Sequence, residues 1–126
     1  MDLTVGPNFF FWQADAVRAF YRDLATTPVA RVALGELVCS KRLPFWQGEI
    51  PAAVETLLAA GKEVAITSLA LITLKRERKL TADLVDMGLP VEVNDLSALA
   101  HIPEGRPFWV GPLVNVYNEG TLRWLV

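Results

Sequence analysis

The sequence contains only one cysteine and one histidine among its 126 residues. A single thiol excludes a disulfide bond within the chain and is typical of a protein from the reducing cytoplasm. A lone histidine has no partner at the spacing that a zinc site requires. We therefore expect His101 at a helix end or on the surface.

The sequence also lacks a basic character and a long apolar run. Its net charge of −2 gives no electrostatic footprint for nucleic acid. The densest cationic stretch, residues 75–79, would spread around a helix and predicts a solvated face. The longest apolar run, residues 64–74, is interrupted by hydroxyl residues and is shorter than the roughly 20 residues of a membrane span. Asp2 and the absence of early cations argue against a signal peptide.

Hydrophobic residues make up 52% of the chain, which favours a sheet buried on both faces. Apolar strands begin near residues 3, 29, 63, 90 and 107 and alternate with helical patterns near 15–25, 51–60, 70–87, 96–101 and 119–126. This order predicts one α/β domain over residues 1–126 with a parallel sheet. Two architectures fit: the N-terminal half of a TIM-like (β/α) barrel, or an open doubly wound five-stranded sheet. Periodicity alone favours the smaller, open fold.

Polar and charged residues follow the carboxyl ends of several predicted strands. In a parallel sheet these ends meet at one edge, where ligands bind in both architectures. Loops are polar for conformational reasons as well, so the pattern locates a face without naming a chemistry. The candidate pocket residues at this edge are Glu36, Ser40, Arg42, Glu92, Asn94, Asp95, Asn115, Tyr117 and Asn118.

Cys39 is the most reactive side chain at this edge and has three interpretations. It is a metal ligand whose thiolate is favoured by Lys41 and Arg42, a nucleophile without a visible base, or an inert buried cysteine. No catalytic residue can be assigned from these patterns.

The acidic residues have alternatives too. Glu36, Glu92 and Asp95 form a carboxylate cluster for proton transfer or metal binding, or Asp95 is simply the N-cap of the helix that follows it. Glu92 lies in a strand between two valines. If its side chain faces a barrel interior it needs a partner, for which Arg42 is the candidate.

Four segments together resemble a known family. They are Val-Gly-Pro-Asn at 5–8, Leu-Gly-Glu-Leu-Val-Cys-Ser-Lys-Arg at 34–42, Val-Glu-Val-Asn-Asp-Leu at 91–96, and Val-Gly-Pro-Leu-Val-Asn-Val-Tyr-Asn at 110–118. The chain resembles the start of the collagenase-like peptidase family (U-32), in particular its branch in oxygen-independent ubiquinone biosynthesis. The similarity runs over essentially the whole chain in order and spacing.

The resemblance implies a barrel-like fold, a cytoplasmic location and a UbiU-like protein as partner in hydroxylating the quinone ring. It also implies a four-iron four-sulfur (4Fe-4S) cluster held by four cysteines, the first of which matches Cys39. The other three have no counterpart here, so the chain alone is not expected to hold the cluster. It is then a piece of a longer protein or a shortened relative.

Other functions stay open from the residues. The alternatives are a peptidase or RNA-modifying member of the same broad family, or a small stand-alone α/β binding module. The aromatic run 9–12, with Phe45 and Trp46, lines an opening for a prenylated quinone precursor or covers the core. Half a barrel would also leave an open sheet edge, which predicts a homo-oligomer.

Overall fold

The computed structural model describes all residues from Met1 to Val126, and its apolar segments form five strands separated by helices. The strands are β1 (Thr4–Val5), β2 (Arg31–Leu34), β3 (Glu63–Thr67), β4 (Val91–Val93) and β5 (Phe108–Val110). The α-helices are α1 (Ala14–Ala25), α2 (Ile50–Ala59), α3 (Lys75–Asp86) and α4 (Glu119–Leu125). Short 3₁₀ helices cover Ser40–Phe45, Gln47–Glu49, Leu96–His101 and Pro112–Val114.

The sheet is entirely parallel and its spatial order follows the sequence, β1-β2-β3-β4-β5. A doubly wound sheet reverses its strand order at a switch point, and this sheet has no reversal. Repeated right-handed crossovers in one direction place the helices on one face and curl the sheet. The order therefore favours the half-barrel over the doubly wound alternative.

The three central strands are buried on both faces, as their apolar composition predicts. Alternate residues of β2 and β3, such as Val32 and Ile66, pack against α1 and α2 in the larger core. Val91 and Val93 of β4 belong to a second core with Val85 of α3. The pleat turns the intervening residues to the concave face. These residues are Ala33, Ala65, Thr67 and Glu92, all of them buried.

The prediction of a helix over residues 70–87 was wrong in its first turn and in its buried stripe. α3 begins only at Lys75, and Leu71, Leu74 and Met87 are 67%, 47% and 42% exposed. The buried stripe is Glu77, Thr81 and Val85, at a spacing of one helical turn. Residues 68–74 form a loop because side chains elsewhere bind their backbone amides, as described below.

The other helical predictions were close. The helix expected after Pro51 is α2, and the turn expected near residues 96–101 is the 3₁₀ helix Leu96–His101. His101 lies in the last turn of that 3₁₀ helix, which confirms its expected place. None of the helices combines the length and apolar character that a bilayer crossing requires.

Candidate functional site

Cys39 stands on a loop that the carboxylate of Glu36 fixes at the carboxyl edge of β2. Glu36 Oε1 accepts hydrogen bonds from the backbone amides of Val38 (2.8 Å) and Cys39 (3.0 Å). Glu36 Oε2 accepts a longer one from the indole Nε1 of Trp46 at 3.4 Å. Glu36 is buried, whereas Cys39 remains partly exposed. One acidic side chain thus folds the loop and leaves the thiol accessible.

Gly35 makes this turn feasible. Its φ of +144° is a conformation that side chains rarely adopt, and a Cβ there would lie 2.8 Å from Cγ2 of Thr67. β2 and β3 approach so closely at this point that only glycine fits. The Gly-Glu-x-x-Cys segment therefore has a mechanical role in presenting Cys39.

Ser40 ties the same loop to α3. Its hydroxyl donates to Glu77 Oε1 at 2.9 Å, and Glu77 Oε2 accepts from the backbone amides of Thr73 and Leu74, each at 3.0 Å. The bonds from Leu74, Thr73 and Ser40 lower the pKa of Glu77 to about 2. Glu36 and Glu77 thus hold Cys39 and Ser40 from two sides.

Glu92 belongs to a second polar group, on the concave face of β3 and β4. Its Oε2 accepts from Thr67 Oγ1 at 2.5 Å and from the amide Nδ2 of Asn94 at 3.0 Å. The backbone amide of Asn94 donates to Ser68 Oγ at 2.9 Å. A Cβ on Gly111 would overlap the Asn94 amide group, so this group also requires a glycine on β5's side.

The expectation that Arg42 would pair with Glu92 was wrong. Arg42 Nη1 donates to the backbone oxygen of Phe9 at 3.0 Å and links the loops after β1 and β2. Neutral donors from Thr67 and Asn94 surround the Glu92 carboxylate instead. A hydroxyl and an amide one strand away reach this carboxylate because Thr67 and Glu92 are register partners.

Asp95 is the N-cap of the 3₁₀ helix Leu96–His101, as one of the two interpretations predicted. Its Oδ1 accepts from the backbone amide of Ser97 at 2.9 Å, and its Oδ2 from that of Ile72 at 2.8 Å. Burial acts to raise the Asp95 pKa, but the hydrogen bonds from Ser97 and Ile72 outweigh it and leave the pKa lowered. The bond to Ile72 also holds the loop before α3.

Asn115, Tyr117 and Asn118 form a separate, exposed group near the start of α4. Tyr117 donates its hydroxyl proton to Asn115 Oδ1 at 2.9 Å, and Asn115 has a left-handed φ of 59°. Asn118 is the N-cap of α4 and accepts from the amide of Thr121. The predicted pocket residues therefore fall into distinct hydrogen-bonded groups along one edge.

Aromatic side chains are exposed beside the Cys39 loop. Phe9, Phe10, Phe11 and Phe45 are 50%, 73%, 45% and 57% exposed, and we call these four residues the aromatic surface. The rings of Phe11 and Phe45 meet edge to face with centroids 5.2 Å apart. Core cover is thus a wrong interpretation for these four residues. It is correct for Trp46, which is buried in the larger core.

The residues do not fit an iron–sulfur cluster held by this chain alone. A cluster of this type needs about four thiolates, whereas the chain offers Cys39 only. No group of three or more histidine, cysteine and acidic side chains is arranged to hold a metal ion. The cavity beside Glu36, lined also by Thr67 and Thr81, has a volume of about 30 Å³. That is room for one or two waters but not for a substrate.

Two buried charged residues escaped the sequence analysis. Glu77 lay within the densely charged segment and resembled a solvated helix face, although an acid in the first helical turn is a known capping signal. Lys62 is buried and donates to the backbone oxygens of Thr27 (2.7 Å) and Val29 (2.8 Å), which lie just before β2. Nothing local in the sequence indicates that contact, because it spans more than 30 residues.

Comparison with known proteins leaves the family undetermined. No protein-family model and no solved structure matches the chain.

Proposed function

We propose that this protein is a UbiV-like member of the collagenase-like peptidase family (U-32). In this proposal it acts in the cytoplasm as a partner of a UbiU-like protein in hydroxylating the quinone ring during oxygen-independent ubiquinone biosynthesis. The observation that carries the proposal is the presentation of Cys39. The thiol is partly exposed at the carboxyl edge of a parallel half-barrel, on a loop fixed by Glu36.

A cysteine that ligates a metal centre must keep its position, because outer hydrogen bonds orient the ligand. Both neighbours of Cys39 are held. Glu36 binds the backbone amides on its N-terminal side, and Ser40 is bonded to Glu77 on its C-terminal side. Lys41 follows in the sequence and adds a positive charge that favours the thiolate.

In this function Cys39 supplies one of four thiolates, and the other three come from outside these 126 residues. When bound, the cluster would supply electron transfer. The role of this chain's residues is to orient the thiol and to keep it accessible. The aromatic surface lies beside it and offers apolar contact for a prenylated quinone precursor.

A chimera tests the proposal. The matching N-terminal segment of an established UbiV protein is replaced by these 126 residues and expressed, without oxygen, in bacteria that lack their own UbiV protein. We expect ubiquinone to reappear in lipid extracts with the wild-type segment and to stay absent with Cys39→Ser. The matched control is Leu71→Ser, an exposed loop substitution on the same edge, which should restore synthesis.

Two results would contradict the proposal. One is a chimera that accumulates as folded protein but yields no ubiquinone. The other is a Cys39→Ser chimera as active as the unsubstituted one. Co-purification of the UbiU-like protein with each chimera separates a loss of the partner from a loss of the thiol.

A further inference from the structure

The molecule exposes more surface than a compact monomer of its mass. Its accessible area is 7573 Å² at 13.9 kDa. Folded monomers of this mass expose about 6,700 Å². The excess of about 900 Å² is close to the area of roughly 800 Å² that each partner contributes to a standard protein interface. Some of the surface is therefore large enough to form a stable interface.

The excess is explained by the two ends of the sheet. β1 and β5 each have a neighbour on one side only, because the strand order is sequential and the sheet is not closed. Neither strand contains a charged residue or a proline, the usual protections of a free edge. Both edges are thus open to pairing.

Apolar side chains flank both open strands. Leu3 precedes β1 and Phe10 follows it, and they are 51% and 73% exposed; we call Leu3, β1 and Phe10 the β1 flank. At the other end Val110 is 41% exposed, and on α4 Leu122 and Trp124 are 50% and 69% exposed. We call β5, Leu122 and Trp124 the β5 flank. Val110 and Leu125 line the same surface cavity, which places α4 beside the β5 edge.

We propose that two copies of the chain associate head to tail, with the β5 flank of each against the β1 flank of the other. The occupant is a second copy because β1 can follow β5 in the same parallel sense as every strand pair within the sheet. Two such contacts close around a two-fold axis and leave no flank free. A net charge of only −2 per chain opposes this association weakly. This inference does not depend on the proposed function.

The test measures mass by sedimentation equilibrium from micromolar to millimolar chain concentration. We expect a dimer for the wild type. Leu3→Lys in the β1 flank and Trp124→Lys in the β5 flank should each raise the dissociation constant by about tenfold or more, since each inserts an unpaired charge into an apolar contact. The matched control is Leu58→Lys on the outer face of α2, which is 46% exposed and outside both flanks. It should leave the dissociation constant unchanged.

Mixing the two variants tests the head-to-tail arrangement. A pair of one Leu3→Lys chain and one Trp124→Lys chain contains one contact between two intact flanks. Fluorescence energy transfer between differently labelled chains should therefore be stronger in the mixture than in either variant alone. Circular dichroism of each variant checks that the fold is kept.

Three results would overturn the proposal. The first is a wild-type monomer over the whole range, which would assign the flanks to a different polypeptide. The second is a dimer that the flank variants do not weaken more than Leu58→Lys does. The third is a mixture that associates no better than the single variants, since it would show a contact between like flanks.

Discussion

Glu36 is the residue on which the Cys39 loop depends. Replacing it by alanine leaves the amides of Val38 and Cys39 without their acceptor. An unsatisfied buried donor costs about 1–3 kcal/mol, so we expect Glu36→Ala to lower the free energy of unfolding by that amount. Urea denaturation measures the loss, and the rate of Cys39 modification by a thiol reagent should rise at the same time.

Glu36→Gln and Glu55→Ala complete this experiment. Gln keeps one acceptor oxygen and should lose less stability than Ala does. Glu55 is an exposed acid on α2, and its replacement should change stability by less than about 0.5 kcal/mol. An unchanged stability and thiol rate in Glu36→Ala would refute the role of Glu36.

Glu77 makes stability depend on pH in acid. Its pKa is lowered from 4.5 to about 2 in the folded protein by the Leu74, Thr73 and Ser40 donors. A lowered pKa means that the folded state favours the ionised form. This stabilisation is fully present above about pH 4.5 and is lost as the pH falls towards 2.

The variant Glu77→Gln should therefore be less stable than wild type at neutral pH and decline less steeply between pH 4.5 and 2. Urea unfolding at several pH values measures both slopes. Glu55→Gln is the matched control and should keep the wild-type slope. Equal slopes for Glu77→Gln and wild type would assign the acid sensitivity to other carboxyl groups.

At the scale of elements, the contact between β2 and β3 is set by the space at Gly35. Gly35→Ala places a Cβ against Thr67 and requires a residue with side chain to keep a φ of +144°. We expect a loss of about 2–4 kcal/mol in the free energy of unfolding, from strain and overpacking together. Gly6→Ala is the control, since nothing lies within 4 Å of a Cβ there. Thermal unfolding compares the two, and equal melting temperatures would refute the close approach.

At the scale of the whole molecule, the number of thiols limits the metal content. Reconstitution with iron and sulfide without oxygen should give clearly less than one four-iron cluster per chain, because each chain brings one cysteine. Iron and sulfide analysis with the visible absorbance measures this. Cys39→Ser should abolish whatever iron is bound through the thiol. One cluster per chain in wild type, unaffected by Cys39→Ser, would exclude Cys39 as a ligand.

The sequence by itself determined the order of strands and helices, because apolar periodicity and helix caps act over a few neighbouring residues. β3 and the 3₁₀ helix Leu96–His101 have the bounds that the pattern predicts, and Asp95 caps that helix. The placement of Gly35, Glu36 and Cys39 at a strand end was also readable. The purpose of Glu36 was not, since its role is to fold the loop around itself.

Only the tertiary structure decided the winding of the sheet, the partners of the buried acids and the exposure of the aromatic run. The bond between Ser40 and Glu77 spans 37 residues, and that between Thr67 and Glu92 spans 25. Such contacts form only after the strands have paired, so no local pattern contains them. The same long-range bonds hold residues 68–74 as a loop where apolar spacing alone predicted a helix.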